Sequence, residues 1–346
     1  MSGHDAPRRA EGAQAAHTAP APAPDATPRV SVVVASYEHE AYVTESLESV
    51  LAQTYQDFEI VVTDDGSRDG TAGRIRAIDD PRIRLEVLPQ NRGACIAMNH
   101  AIARARGEFV AVLNSDDLFV PDKLAEQVAF LDAHPDIAAV FGWPEFVDER
   151  GQPFDDETHK DWSVFRVENR DRFRWLRHFF DHGNCLCHPT LMIRRRCYRV
   201  VGGYDARMAQ VPDLDMWVRL AARYELHVMP RVLTRFRIRD GQRNASAARP
   251  EVVRRDAWER QRVLEQYLAM PAEVLRKAFP EYADDRRAPG AWLAEHALGI
   301  DLPFHVAFGL ETAFASLPPG GDGPEYARLI ALTGRHDVFG IHRRAS

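Results

Sequence analysis

The sequence predicts an α/β fold, in which a mainly parallel central sheet is flanked by helices and followed by a helical C-terminal appendage. Two observations indicate this class. Over residues 30–134, short β-rich runs alternate with helical segments, which is typical of right-handed βαβ crossovers and parallel strands. After about residue 249 the strand signal fades, and helical segments interrupted by prolines dominate the rest of the chain.

The elements of the first part follow from the spacing of apolar residues. The run VSVVVA (30–35) is continuously apolar, as expected for a strand covered on both faces. The segment 41–54 places Val43, Leu47 and Val50 on one face of a helix. Further strands are predicted at 58–63, 83–88 and 108–113, and further helices at 71–78, 94–106 and 121–134.

The second part of the chain is less regular. Strands are expected at 137–143 and 188–194, helices at 171–180 and 213–224, and an extended segment at 226–238. The segment 251–270 is a strongly periodic helix. The predicted boundaries are a disordered Ala/Pro-rich tail (1–28), an α/β domain (29–248) and a helical C-terminal region (249–346).

Composition and charge exclude several classes of protein. The formal net charge of −7 argues against a general nucleic-acid binder, which would present a basic face. The four cysteines do not form a disulfide framework, and Cys185-x-Cys187-His188 lacks the second pair that a zinc site needs. Residues 1–28 contain no apolar core of a signal peptide, and no apolar run approaches the ~20 residues of a membrane span. We therefore expect a cytoplasmic protein, with docking on the inner face of the membrane left open.

Acidic side chains gather where two of the predicted strands end. DDGS (64–67) and NSDD (114–117) follow the second and fourth strands, and ligands of parallel sheets bind at such ends. The segment after the first strand, ASYEHEAY, has no glycine, so it is neither a dinucleotide fingerprint nor a P-loop. A diphosphate bound here needs another source of positive charge. A Mg²⁺ or Mn²⁺ ion held by carboxylates supplies it and stabilises a departing diphosphate.

Each of these signals also has a purely structural alternative. DDGSRDGT alone is a turn followed by an N-cap, and NSDD can be a helix-entry turn with Asp117 or Asp122 as the cap. Asp213 and Asp215 can be first-turn acids that the helix dipole favours, whereas Tyr37 and Trp217 can be packed aromatic residues. The functional interpretation is preferred because the candidate positions converge on one edge of one predicted sheet.

In their order and spacing, these motifs resemble the family 2 glycosyltransferases of the Rossmann-like GT-A fold. The resemblance covers about residues 30–245. It implies an inverting enzyme that moves a sugar from a nucleotide-sugar to a hydroxyl group. The matching segments are VSVVVASYEHEAYVTESLESVLAQTYQDFEIVVTDDGSRDGT (30–71), NRGACIAMNHAIARARGEFVAVLNSDDLFVPDKL (91–124) and PDLDMWVRL (212–220).

On the donor side, the resemblance implies a nucleobase site in the loops after the first two strands. Tyr37 would lie along the base, and Asp65 would accept a hydrogen bond from a ring N–H of uracil or thymine. Asp64 would support the loop. The implied nucleotide-sugar-binding residues are Ser36, Tyr37, Glu38, Asp64, Asp65, Asn91, Asp116 and Asp117.

At the reacting centre, NSDD stands where the family has its D-x-D motif. Asp116 is then the implied ligand of a divalent cation, Mn²⁺ or Mg²⁺, and Asp213 takes the place of the general base. His188, Trp217 and Arg239 are implied contacts to the acceptor or the diphosphate. The expected partners are a UDP- or dTDP-sugar and a glycan or lipid-linked acceptor of polysaccharide biosynthesis.

Three positions depart from the family pattern. Asn114 replaces the first aspartate of D-x-D, Pro212 replaces the glutamate before the base, and Arg239 stands where many relatives have a histidine. The departures leave open a catalytically weak relative that binds a nucleotide-sugar or a protein. A nucleotidyltransferase is less favoured, because its glycine- and lysine-rich loop after the first strand is missing. The retained Asp116 and Asp213 favour the active enzyme, in which the Arg239 cation replaces part of the metal's charge.

Overall fold

The computed structural model describes residues 27–154, 163–239 and 249–335. Nearly all of the tail predicted to be disordered (1–28) lies outside the described residues. Within the described ranges, eight strands form one sheet. The strands are β1 (Val30–Ser36), β2 (Phe58–Asp64), β3 (Ile83–Val87), β4 (Phe109–Asn114), β5 (Leu118–Phe119), β6 (Ile137–Val147), β7 (Met192–Arg194) and β8 (Glu225–Arg237).

Helices pack on this sheet and make up the C-terminal region. Those of the α/β part are α1 (Val43–Leu51), α2 (Thr71–Arg76), α3 (Ala94–Arg104), α4 (Lys123–Ala133), α5 (Arg172–His182), α6 (Arg196–Val201) and α7 (Pro212–Ala221). Those of the C-terminal region are α8 (Pro250–Glu265), α9 (Ala272–Ala278), α10 (Pro289–Ile300), α11 (Pro303–Ala315) and α12 (Pro324–Thr333).

The sheet has the strand order β3-β2-β1-β4-β7-β6-β8-β5. The pairs β1–β2, β2–β3, β1–β4 and β6–β8 are parallel, and the other three pairs are antiparallel. The predicted α/β class with a mainly parallel sheet is therefore confirmed. Ser36 pairs with Asp64, and Ala35 pairs with Asn114. Because these strands end level with one another, the loops that follow them meet at one edge of the sheet.

Alternate residues of the central strands belong to two apolar clusters, one on each face of the sheet. The cluster that contains Val32 and Val34 packs against α1, α2 and α4. The cluster that contains Val33 and Val112 includes residues of α3, α5 and α7, and it continues into α8, α9, α10 and α11. The C-terminal region therefore shares a core with the α/β part.

Two predicted elements differ from the structure at their ends. The strand predicted at 188–194 is reduced to β7, and His188–Thr190 is a 3₁₀ helix, because Pro189 has no N–H for a strand ladder. The helix predicted at 251–270 ends at Glu265, and a 3₁₀ helix at Gln266–Ala269 follows it. Apolar spacing places an element but does not fix its last turn.

Candidate active site

A cavity of ≈ 480 Å³ opens where β1 and β4 end. Its wall also contains the first residues of α3 and α7 and the chain just after β8. Positions far apart in the sequence therefore meet in one cavity. The predicted site residues that line it are Ser36, Tyr37, Asp65, Asn91, Asp116, Asp117, His188, Asp213 and Arg239.

Asp64, Glu38 and Trp217 are predicted site residues that do not line the cavity. The buried Asp64 carboxylate accepts hydrogen bonds from Ser36 Oγ and from the Ser67 amide, both at 2.9 Å, and so supports the loop. Glu38 turns the chain with a φ of 50°, and its amide donates to Ser67 Oγ. The structure corrects the predicted ligand contact of Trp217, because its side chain is 0% exposed and lies in the core.

The Asp65 carboxylate is held by backbone amides at the start of α3. Its Oδ1 accepts a hydrogen bond from the Arg92 amide at 2.8 Å, and its Oδ2 accepts one from the Gly93 amide at 2.7 Å. A carboxylate offers about four acceptor positions, so this one can still accept a hydrogen bond from a ligand N–H. Tyr37 and Asn91 lie together in the same wall, and Tyr37 is 37% exposed.

Asp116 follows β4 and lies beside the cationic side chain of Arg239 and the titratable side chain of His39. Arg239 Nε is 3.5 Å and His39 Nε2 is 3.8 Å from Asp116 Oδ2. His39 also lies 2.9 Å from Arg239 Nη1, through Nε2, and 2.7 Å from Ser115 Oγ, through Nδ1. Burial lowers the pKa of His39, Asp116 opposes this effect and Arg239 adds to it. The sequence did not indicate His39, whose one signal was its place in the loop after the first strand.

Asp117 is tied into the protein. Its Oδ1 accepts a hydrogen bond from the Arg237 amide and its Oδ2 accepts one from Asn114 Nδ2, both at 2.8 Å. Burial raises the pKa of Asp117 well above its usual range, and the neighbouring Asp116 adds to the effect. Asn114 therefore donates to an acid at a point where an aspartate would add a further like charge. This contact accounts for one departure from the D-x-D pattern.

Asp213 lies in the first turn of α7, directly after Pro212. Its Oδ2 accepts a hydrogen bond from Asn184 Nδ2 at 2.6 Å, and its Oδ1 accepts one from the Leu214 amide at 2.8 Å. Burial raises the pKa of Asp213 to about 6. A carboxylate of this pKa is charged at neutral pH and takes up a proton readily, as a general base must. The sequence did not indicate Asn184, which lies in an irregular segment without a motif.

His188 lines the same cavity as a neutral side chain. Its Nε2 is 2.8 Å from the Tyr204 hydroxyl, and burial lowers the pKa of His188 to about 4. Tyr204 is fixed in turn, because its amide donates to Asn99 Oδ1 at 2.8 Å. At neutral pH the imidazole is therefore a hydrogen-bonding group and not a cation.

Comparisons with known proteins give the family of the chain. The family model described as Glycosyl transferase family 2 matches residues 31–199. The uncharacterized glycosyltransferase MJ1057 of Methanocaldococcus jannaschii is 30% identical over 216 residues, which are 61% of this chain and 71% of that protein. The chain belongs to glycosyl transferase family 2.

Two further proteins resemble this member of family 2. The succinoglycan biosynthesis protein ExoO of Rhizobium meliloti is 45% identical over 112 residues, which are 32% of each chain. The crystal structure of S. aureus TarS 1-349 in complex with UDP-GlcNAc is similar with a TM-score of 0.60 and 22% identity. That similarity covers 88% of this chain and 83% of the TarS chain. It confirms the predicted GT-A fold.

The resemblance to family 2 implied a divalent cation, and Asp116 is the residue whose chemistry fits one. Mg²⁺ and Mn²⁺ prefer oxygen ligands, usually one or two carboxylates together with phosphate oxygens and waters. In the part of the chain that the structure describes, no group of three or more His, Cys, Asp or Glu residues could hold a metal. A cation at Asp116 would therefore take most of its ligands from the donor diphosphate and share the carboxylate with Arg239.

Proposed function

We propose that this protein is an inverting glycosyltransferase that moves a sugar from a UDP- or dTDP-sugar to a hydroxyl of a glycan or lipid-linked acceptor. The observation that carries the proposal is that Asp116 and Asp213 line one cavity. A ligand for the donor diphosphate and a base for the acceptor hydroxyl can therefore lie on either side of one sugar. The cavity of ≈ 480 Å³ has the size of a small-molecule site, roughly 300–1,000 Å³.

The nucleobase is read by Asp65 and Tyr37. Uracil and thymine carry a ring N–H that cytosine lacks, and the fixed Asp65 carboxylate accepts a hydrogen bond from it. Tyr37 lies along the face of the base. TarS structures in complex with UDP-GlcNAc and with UDP support a uridine donor.

Asp213 acts as the general base of a single displacement. Its carboxylate accepts the proton of the acceptor hydroxyl while the hydroxyl oxygen attacks the anomeric carbon. The bond from that carbon to the diphosphate breaks on the opposite side, so the configuration inverts and no covalent enzyme intermediate forms. Arg239 faces the negative charge that builds on the diphosphate. Asp116 would hold a divalent cation, which would supply Lewis-acid stabilisation of the same leaving group.

We assign the acceptor side to His188, Tyr204 and Gln210, which line the same cavity as Asp213. Neutral His188 can exchange hydrogen bonds with a sugar hydroxyl without adding charge. The similarity to ExoO, a succinoglycan biosynthesis protein, supports an acceptor in polysaccharide biosynthesis. Across the described ranges, no helix combines the length and the apolar character needed to cross a membrane.

The alternative is a relative that binds a nucleotide-sugar without transferring it, and Asp213 opposes this alternative. A binding module has no need of a cavity carboxylate whose pKa burial raises to about 6. Asn114, which suggested lost activity, has a structural role in its hydrogen bond to Asp117. The active enzyme is the function that the site supports best.

Asp213→Asn is the variant that tests the proposal. It should lower sugar transfer by about 100- to 10,000-fold, because an amide cannot take up the proton. Donor binding should persist, since Tyr37, Asp65 and Asp116 belong to other elements. Transfer is measured over a panel of UDP- and dTDP-sugars with Mn²⁺, and binding by the rise in melting temperature.

Asp136→Asn is the matched control, because Asp136 is exposed and outside the cavity wall. It should transfer sugar at the wild-type rate. If Asp213→Asn transferred sugar at the wild-type rate, Asp213 would have no role in the mechanism. Wild-type protein that binds no UDP- or dTDP-sugar would refute the donor class.

A further inference from the structure

The segment 205–211 leads into α7 and contributes two residues to the cavity wall that also contains Asp213. Ala209 and Gln210 line the active-site cavity, and Val211 is the N-cap of α7. Asp205 and Met208 border a second cavity, of ≈ 890 Å³, whose wall includes residues of α8. Because the segment borders open space in both cavities, its position depends on a small number of specific contacts.

Glu259 of α8 makes several of those contacts. Its carboxylate accepts hydrogen bonds from the amides of Ala209 at 2.8 Å, Gln210 at 2.7 Å and Val211 at 3.0 Å. The residue is 0% exposed. Burial by itself would raise the pKa of Glu259, but hydrogen bonds from Arg255 and these amides hold it below its usual range. A charged carboxylate is therefore enclosed by donors from the base's own segment.

Neighbouring residues of the C-terminal region strengthen this connection. Arg255 donates to Glu259 Oε1 at 2.7 Å and to the Arg207 carbonyl at 3.2 Å. Gln266 Nε2 donates to Asp215 Oδ1 at 2.5 Å, which ties α7 itself to the residues after α8. The segment and the first turn of α7 are thus held from one side by the C-terminal region.

Pro212 cannot itself supply a carboxylate to this segment. The family pattern has a glutamate directly before the base, whereas proline has neither a carboxylate nor an amide N–H. The amides of residues 209–211 are partly or fully buried, and they need acceptors because an N–H group shielded from water without a partner is unfavourable. Glu259 satisfies all three.

We propose that Glu259 is a positioning residue for sugar transfer: it fixes residues 209–211 and, through them, the orientation of Asp213. The inference rests on the proposed function and deepens it, because it makes the C-terminal region part of the active site. Glu259 does not touch the substrates. It acts through the segment that carries the base.

Glu259→Gln tests this role. Glutamine has one acceptor oxygen, and its NH₂ group would face a backbone N–H, so the segment has to move. We expect kcat to fall by about 10- to 100-fold, since small displacements of a reacting group have effects of this size. The Kd for UDP, measured by titration in the presence of Mn²⁺, should stay at the wild-type value. Glu259→Asp, which keeps the charge, should recover part of the rate.

The matched control is Glu251→Gln, at an exposed position at the start of α8, which should transfer sugar at the wild-type rate. An unchanged kcat in Glu259→Gln would overturn the inference. The inference would also be overturned if kcat and the fraction of protein that binds UDP fell equally, because that pattern indicates general unfolding. If Glu259→Gln does not fold, Glu259→Asp is measured in the same way and the same outcomes decide. Wild-type protein without transfer activity would instead refute the proposed function, and this inference with it.

Discussion

At the scale of single residues, the environment of Asp213 sets its chemistry. Burial raises the pKa of Asp213 to about 6, and the Leu214 amide and the charge of Arg260 act against this effect. The native state therefore holds this proton more tightly than the unfolded chain does. The stability that Asp213 contributes is present below its ordinary pKa and is lost as the pH rises through about 6. The same rise in pH produces the carboxylate that the proposed mechanism needs.

The pH dependence of the reaction should follow this titration. We expect kcat/KM to increase with pH up to about 6 and then to level off, because only the carboxylate accepts the proton. Below that pH the rate should fall about tenfold per unit. Initial rates across weakly acidic and neutral pH give the midpoint of this pH profile. The profile of Asp213→Asn should have no midpoint near 6. A wild-type midpoint at the ordinary value of 3.8 would show that another group is the base.

At the scale of elements, the start of α3 depends on one glycine. Gly93 has a φ of 100° and a ψ of 148°, a conformation that residues with a side chain rarely adopt. A Cβ atom placed there would meet nothing within 4 Å. Backbone strain, and not a clash, therefore decides what a substitution does. The amide of Gly93 holds Asp65 Oδ2, so this strain reaches the proposed nucleobase site.

Gly93→Ala should reduce both stability and donor binding. We expect a loss of about 1–3 kcal/mol in the free energy of unfolding, and a weaker affinity for UDP as Asp65 shifts. Gly73 is the matched control, because it lies inside α2 and also has open space around a Cβ atom. Gly73→Ala should stabilise the protein by about 0.5–1 kcal/mol and leave UDP affinity unchanged. Denaturant unfolding and UDP titration measure both effects, and equal behaviour of the two variants would contradict the strain argument.

The elements around the site differ in how far the sequence predicts them. The central strands and the acids at their ends could be predicted, because a continuous apolar run and the residues after it are local signals. His39 and Glu259 could not be, because each gains its role from a residue far along the chain: Arg239 lies beside His39, and the amides before α7 surround Glu259. Trp217 shows the converse, since its motif implied a ligand contact while its place on α7 puts it in the core.

At the scale of the whole molecule, the C-terminal helices and the α/β part share one apolar cluster. Phe180 of α5 lies against Tyr267 with ring centroids 4.9 Å apart, against Phe279 at 5.4 Å and against Phe308 at 5.9 Å. Aromatic residues each bury about 150–250 Å², so these contacts contribute substantially to the core. The boundary predicted at residue 249 therefore separates two segments that are packed together, and this packing brings Glu259 to the segment before Asp213.

A chain that ends at residue 248 should consequently fail to unfold cooperatively, because Phe180 and its neighbours in the cluster would be exposed to water. The matched control ends at residue 318 and lacks α12, a helix without buried residues. That shorter deletion removes the exposed ion pair between Arg328 and Glu295, which contributes little, so its melting temperature should stay close to that of the full chain. Thermal unfolding followed by near-UV circular dichroism distinguishes the two. Cooperative unfolding and UDP binding by the chain of 248 residues would show that the C-terminal region is separable, and the active site would then be complete without Glu259.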